Sequence, residues 1–437
     1  MLMSIELFNE KQKTAYNAVM TGQNIYLGGL GGVGKSFVLN ILRELLGGNA
    51  VFLAPTGIAA LNIKGATIHS TFSLPIGVCN KYARNKVSDK TRELFQDGLI
   101  KTIVIDEISM VRADVFAAID QQLRLIKRKN IPFGGLQIVT VGDFGQLSPV
   151  VKSQGGEADA FSEEFDSPFC FTTEAWSAAN LTHIELTDII RQSDFELIGH
   201  LQKIHARVDG FRESIEYFND NCLLSTKMND GVDPDDIEEG ATFLTTTNSD
   251  AQAINEQSYA SLDGVEEVYT GKLFGGFKER PAPDRLKIKI GTKVMITAND
   301  NSYKNGEVGY VSEMGKDYIE VMIDEYTVHR VKPYRWAEYE YKRNAVGSLF
   351  MEEKASFIQY PIKHGYAITI HKSQGCTLEK AIINIPRAFA HGQTYVALSR
   401  VKTLEGITLT TKLAASDIIF NKDVKDFYEG KFNNLLT

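Results

Sequence analysis

Short apolar runs alternate with helically spaced apolar positions through the first part of the chain. The runs are Asn24–Leu27, Val51–Ala54, Thr102–Ile105 and Gln137–Val141. Runs this short, apolar and bounded by turns fit strands buried on both faces of a parallel sheet. Between them Phe37, Val38, Ile41, Leu42, Leu45 and Leu46 recur at helical spacing, as do Val115, Phe116, Ile119, Leu123 and Ile126. Strand–helix–strand alternation predicts an α/β domain with a mainly parallel sheet over residues 1–182. The polar stretch 73–100 interrupts it as a small insertion. A second α/β region, 183–437, opens near His183, resumes at 241–255 and finishes with 365–437. Within it residues 285–333 alternate apolar and polar between Gly, Asn and Asp turns, which predicts a small inserted antiparallel barrel. Residues 227–240 carry six acids and read as a solvated connector rather than a functional acidic patch.

Composition narrows the class. A chain of 437 residues has room for about three domains. Its hydrophobic and charged shares, 43% and 23%, are those of globular proteins. The net charge of -8 excludes binding of nucleic acid by bulk positive charge, but leaves room for a local groove. Cys79, Cys170, Cys222 and Cys376 make no CxxC and no zinc-finger spacing, which predicts free thiols in a reducing compartment. No apolar stretch is long enough for a membrane span, and the N-terminus has neither a signal core nor an Arg-rich transit pattern. A cytosolic protein is expected.

The chemistry starts at Gly29-Leu30-Gly31-Gly32-Val33-Gly34-Lys35-Ser36, which matches G-x-x-x-x-G-K-[ST] between a predicted strand and a predicted helix. Backbone N–H groups of such a loop turn inward around phosphate oxygens, and the helix N-terminus adds its positive end. Lys35 reaches the β- and γ-phosphates in this reading, and Ser36 holds Mg²⁺. Asp106-Glu107 ends the strand Thr102–Ile105. One carboxylate there can bind Mg²⁺ and its neighbour can orient or deprotonate water, although acids at that place also suit a helix cap. Hydrolysis of a nucleoside triphosphate follows.

Gly142-Asp143-Phe144-Gly145-Gln146 ends a further strand, where Gln146 can touch a γ-phosphate and report its presence; an ordinary turn is the plain alternative. Arg191 and Arg400 lie in the second α/β region. A guanidinium at the γ-phosphate is worth ~10³ to 10⁵ in rate. Either arginine can equally be a surface or helix-terminus residue.

The ordered blocks APTGIAALNIKGATIHSTF (54–72), IDEISM (105–110), PFGGLQIVTVGDFGQLSPV (132–150), LTDIIRQSD (186–194), AITIHKSQGCTLEKA (367–381) and GQTYVALSRV (392–401) resemble superfamily 1 helicases, specifically the Pif1 family. The resemblance spans about residues 8–406. PFGGLQ resembles the family's signature element, and FNEKQ (8–12) its Q motif, in which Gln12 reads the adenine edge. Two departures are LSPV for the commoner LPPV and Gly-Gly-Val inside the phosphate loop. The resemblance implies two RecA-like parallel-sheet domains, a small wedge at 73–100 and an SH3-like barrel within about 260–350. It implies ATP and Mg²⁺ as cofactors, with Gly375 at the nucleotide and Arg191 and Arg400 as fingers from the second domain. The absence of a long N-terminal extension suggests a bacterial or phage protein working in the bacterial or infected-host cytosol.

Carried over from the family, the DNA track comprises Pro55, Thr56, Thr67, His69 and Phe72 on the first domain and Thr247, Asn248, Thr369, His371 and Lys372 on the second. Hydroxyls and amides contact phosphate without reading sequence. His69 and Phe72 can stack on bases, although Phe72 can also be a core aromatic and His69 a satisfied loop histidine. The resemblance implies an ATP-driven 5′-to-3′ DNA helicase of replication, recombination, repair or telomere-type maintenance. Its partners would be single-stranded, forked or structured DNA and single-strand-binding or replication proteins, and its working state a monomer. Two alternatives stay open: a RecD-like subunit of a repair complex, which PFGGLQ speaks against, and an ATP-switched clamp that does not unwind.

Overall fold

The computed structural model describes residues 7–75, 77–151, 156–188, 194–224, 240–277, 280–300, 302–344 and 349–430. Arg191 and nearly all of the acidic connector 227–240 lie outside the described residues. The chain divides into two compact units rather than three. The first comprises residues 1–190, 337–354 and 421–437; the second comprises 191–336 and 355–420.

The first unit is built on a six-stranded parallel sheet. Its strands are β1 (Ile25–Gly29), β2 (Ala50–Ala54), β3 (Ala66–Thr67), β4 (Thr102–Ile105), β5 (Gln137–Val141) and β6 (Thr182–Leu186), in the order β3-β2-β4-β5-β1-β6. Every residue of β1, β2 and β4 is buried, as a sheet covered on both faces requires. Helix α1 (Glu10–Met20) starts at a reciprocal cap between Asn9 and Gln12. Helix α2 (Lys35–Leu46) turns Val38, Leu39, Ile41 and Leu42 onto the sheet, and helix α3 (Ala113–Lys127) buries Val115, Phe116, Ile119, Leu123 and Ile126. The insertion 73–100 carries two short helices, Lys81–Asn85 and Asp89–Phe95.

Three sequence expectations are corrected here. His183 does not open the second region: it lies in β6, which pairs with β1 from Ile25 opposite Thr182 to Gly29 opposite Leu186. Residues 337–350, expected in the barrel insertion, and 351–354, expected in the second domain, belong to the first unit. The Tyr341 hydroxyl accepts from Phe52 N (2.9 Å), and Arg343 donates to the Leu94 carbonyl (2.7 Å) and pairs with Asp97. The chain after residue 420, expected in the second domain, also returns to the first unit as the helix Lys422–Tyr428. Its Phe427 is fully buried among Tyr26, Phe144, Phe171 and Trp176.

The second unit has a four-stranded parallel sheet, ordered Ala367–Thr369, Thr242–Thr245, Ala381–Asn384, Ile407–Leu409. It also has a five-stranded antiparallel sheet of Val328–Val331, Ile319–Met322, Val308–Met314, Lys293–Ile296 and Ile362–His364. That second sheet has its own core, including Ile288, Val294, Val311, Val321 and Val331. The antiparallel texture of 285–333 is therefore as expected, with one strand recruited from beyond it. The four cysteines are buried and free. No described helix is long and apolar enough to cross a membrane.

Candidate functional site

Parallel strands end on the same side of a sheet, and ligands of such sheets bind beyond the carboxyl ends. Strands β4, β5 and β1 are immediate neighbours, paired through Ile105 with Thr140 and Leu27 with Val141. Their ends therefore bring together Asp106-Glu107, Gly142–Gln146 and Gly29–Ser36.

The phosphate loop has its conformation enforced by glycine at two places. Gly29 has φ +138°, and a Cβ there would sit 2.6 Å from the Leu186 carbonyl oxygen of β6. Gly34, the N-cap of α2, is left-handed at φ 89°. Gly31, Gly32 and Val33 complete the loop between them, with Val33 buried in the core beneath it. The Lys35 ammonium donates to the carbonyls of Gly29 (2.6 Å) and Leu30 (2.9 Å), and Ser36 opens onto solvent in the first turn of α2.

Burial, and then the like charge of Glu107, push the Asp106 carboxyl up to about 7 against the pull of the Glu107 N–H and of Lys35. A carboxylate so raised by burial and like charge, together with the Ser36 hydroxyl in the first turn of α2, is a hard-oxygen donor set suited to Mg²⁺ that arrives with phosphates. Glu107 has left-handed backbone, φ 50°, ψ 45°, an uncommon state for a side-chain-bearing residue. Gln146 is 7% exposed and donates from Nε2 to Asp143 Oδ2 (2.9 Å). Gln12 is 2% exposed; its Oε1 accepts from Asn9 N, while its Nε2 is buried without a partner among the described residues. A buried orphan donor is costly unless a ligand acceptor meets it. These groups fit a magnesium–nucleotide complex.

The other expected site residues fall into two groups. Thr56 on the first unit and Thr247 on the second follow a strand and Thr67 ends one; each caps a helix, accepting from Ala59 N, Asp250 N and Ser70 N respectively. Pro55 and Asn248 flank those caps. Thr369 is buried, accepting from the Lys372 N–H (3.3 Å), and leaves the Lys372 side chain exposed. Burial holds the imidazoles of His69 and His371 below their ordinary range, so both are neutral at pH 7. His371 lies parallel to the exposed ring of Phe389, an aromatic that stands in no periodic pattern and so was not singled out. Gly375 sits exposed in left-handed backbone, φ +83°.

One expectation fails on burial, and a second residue is turned away from solvent. Phe72 is fully buried and stacked on Phe95 (5.4 Å, 16°), so its faces are used by the core rather than offered to a base. Phe72→Leu is expected to lower stability by about 1–2 kcal/mol. Single-strand affinity should stay unchanged, as a melting curve and fluorescence anisotropy would show; a lost base stack would instead weaken binding by about 1–3 kcal/mol. Arg400 is 1% exposed, and its guanidinium donates within its own unit to the carbonyls of Val396 (2.8 Å) and Ser373 (3.3 Å) and to the Ser399 hydroxyl (2.8 Å). A finger role requires exchanging those acceptors for phosphate oxygens. The PFGG turn is likewise structural. Phe133 is buried against Phe116, its N–H donates to Asp120 Oδ1 (2.6 Å), and a Cβ on Gly134 would strike the Leu123 carbonyl oxygen at 2.6 Å. The signature thereby braces α3.

The family profile of PIF1-like helicases matches residues 7–219. The chain is 31% identical over 412 residues to the ATP-dependent DNA helicase Pif1 of Campylobacter jejuni, covering 87% of each. The chain belongs to the PIF1-like helicase family. It is also 31% identical over 436 residues to the ATP-dependent DNA helicase PIF1 of Danio rerio, covering 96% of this chain and 63% of that longer protein. Among solved structures it matches Bacteroides Pif1 in complex with ADP-AlF4 at TM-score 0.85 and 32% identity, over 96% of both chains. The same Bacteroides protein bound to single-stranded DNA matches at TM-score 0.67, over 97% of this chain and 96% of that one. The parallel sheets of the two units are thus those of two RecA-like domains, and the family's reaction uses ATP and Mg²⁺.

Proposed function

We propose that the chain is an ATP-dependent DNA helicase that moves 5′-to-3′ along single-stranded DNA and separates duplex or structured DNA as it goes. The observation that carries this reading is the convergence of Gly29–Ser36, Asp106-Glu107 and Gly142–Gln146 at the ends of three adjacent strands. Backbone N–H groups of the loop and the α2 N-terminus receive the phosphates, and Lys35 leaves its carbonyl partners for phosphate oxygens. Ser36 and Asp106 would hold Mg²⁺, which supplies positive charge against the β- and γ-phosphate oxygens. Glu107 takes the proton of the attacking water. Gln146 senses the γ-phosphate, and Gln12 donates to the adenine ring. Arg191, Arg400 and Gly375 keep the nucleotide-contacting roles that the family resemblance implies, Arg400 by exchanging its present acceptors for phosphate oxygens.

In this reading Pro55, Thr56, Thr67 and His69 of the first unit and Thr247, Asn248, Thr369, His371 and Lys372 of the second each contact one DNA strand, through groups that read no sequence. The working state in this reading is a monomer in the bacterial or infected-host cytosol, acting in replication, recombination or repair alongside single-strand-binding proteins. Opening a base-pair step costs ~1.4 kcal/mol on average, a modest load for one ATP.

A forked duplex with a single-stranded tail of one polarity at a time provides the test. Strand separation is expected with the 5′ tail and not with the 3′ tail, and only with hydrolysable ATP. Unwinding from the 3′ tail alone would reverse the polarity. DNA-stimulated hydrolysis without any strand separation would replace the helicase by an ATP-switched clamp.

A further inference from the structure

The chain that follows the second unit returns to the first as the helix Lys422–Tyr428, begun by the Asn421 side chain accepting from Asp423 N (2.7 Å). Phe427 anchors it, 4.9 Å from the Phe144 ring and 4.7 Å from Phe171. Phe144 stands inside the Gly142–Gln146 segment, so the helix is packed directly on the loop that carries Gln146. The next residue makes the polar contact. The Tyr428 hydroxyl donates to Asp143 Oδ1 (3.1 Å), which also accepts from Gly145 N (3.0 Å). The other oxygen of the same carboxylate accepts from Gln146 Nε2 (2.9 Å). Asp143 is 2% exposed, so its orientation is set by these donors rather than by water. Tyr26, on β1 just before the phosphate loop, stacks on Phe144 (5.3 Å) and brings its own hydroxyl to the Gly142 carbonyl (3.4 Å).

We propose that Tyr428 is a positioning residue for ATP hydrolysis: through Asp143 it fixes the side chain of Gln146. Burial and the neighbouring carboxylates hold the Tyr428 phenol well above its ordinary range, so it stays protonated and donates. Asp143 then accepts one N–H of Gln146 at Oδ2, which orients the amide. The inference rests on reading Gln146 as the γ-phosphate sensor, and its test separates the two.

The measurement is single-strand-stimulated ATPase of the full chain, with kcat and KM for ATP resolved. Tyr428→Phe removes one oxygen and keeps the ring. It is expected to lower kcat roughly 3- to 10-fold, the worth of one hydrogen bond, with KM unchanged. Gln146→Ala is expected to lower kcat further, and Tyr428→Phe added to Gln146→Ala should cost nothing more, because the relay then has no end. A wild-type kcat in Tyr428→Phe, or losses that multiply in the double variant, would overturn the relay while leaving Gln146 in place. A wild-type kcat in Gln146→Ala would remove the sensor reading and the relay with it. A fall in melting temperature with kcat intact would mark Tyr428 as a packing residue only.

Discussion

Lys35→Ala is expected to abolish ATP turnover, by at least ~10²–10³-fold, while leaving nucleotide-free binding of single-stranded DNA unchanged. The size follows from where charge develops. Lys35 stands in the first turn of α2 with its ammonium on two carbonyls of the phosphate loop, and once transferred to bound phosphates the cation acts where transition-state charge develops. The selectivity follows from placement: Lys35 follows β1, whereas the first-unit DNA candidates Pro55, Thr56, Thr67 and His69 follow β2 and β3. The fold should survive the change, because Lys35 itself and Leu30 are partly exposed, so water can take the place of the ammonium at the carbonyls of Gly29 and Leu30. Phosphate release and fluorescence anisotropy on a labelled oligonucleotide read the two halves separately. Retained turnover would refute the loop assignment. DNA binding lost together with turnover would mean that the two sites are not distinct.

Legibility in the sequence followed locality. The runs Thr102–Ile105 and Gln137–Val141 are strands residue for residue, because a central parallel strand writes its burial directly into its composition. The phosphate loop was equally plain, since its chemistry needs glycine and lysine at fixed spacing. What failed depends on contacts between distant parts of the chain. The segment Thr182–Leu186 looks the same whether it joins the first sheet or a second one, and only its pairing with β1 decides. Tyr341 reaches Phe52 across 289 positions and Tyr428 reaches Asp143 across 285, and neither carries a local signal. Aromatic identity could not say whether Phe72 faces Phe95 or a base. In the same way, a lone arginine could not say that Arg400 is turned into its own unit.

Glu107→Gln is expected to cut DNA-stimulated turnover by ~10²–10⁴-fold, the usual worth of a general base, with ATP binding retained. Gln keeps the size and hydrogen-bonding shape of the side chain but cannot accept the proton of the attacking water. It also removes the like charge that helps push Asp106 up to about 7, so binding of the magnesium–nucleotide complex should hold or tighten. Glu107→Gly provides the complementary measurement. It too should lose turnover, yet it relieves left-handed backbone at φ 50°, which costs an ordinary residue about 1–2 kcal/mol, partly offset by about 0.5–1 kcal/mol of glycine's extra chain entropy. The net gain of roughly 0.5–1 kcal/mol corresponds to a rise in melting temperature of ~1–3 °C for a unit of this size. Activity and stability would then move in opposite directions at one residue, because the position is strained to aim a carboxylate. A Glu107→Gln protein with near-normal turnover would take the proton-accepting role away from Glu107. A Glu107→Gly protein that melts lower would show that the left-handed backbone carries no stored strain.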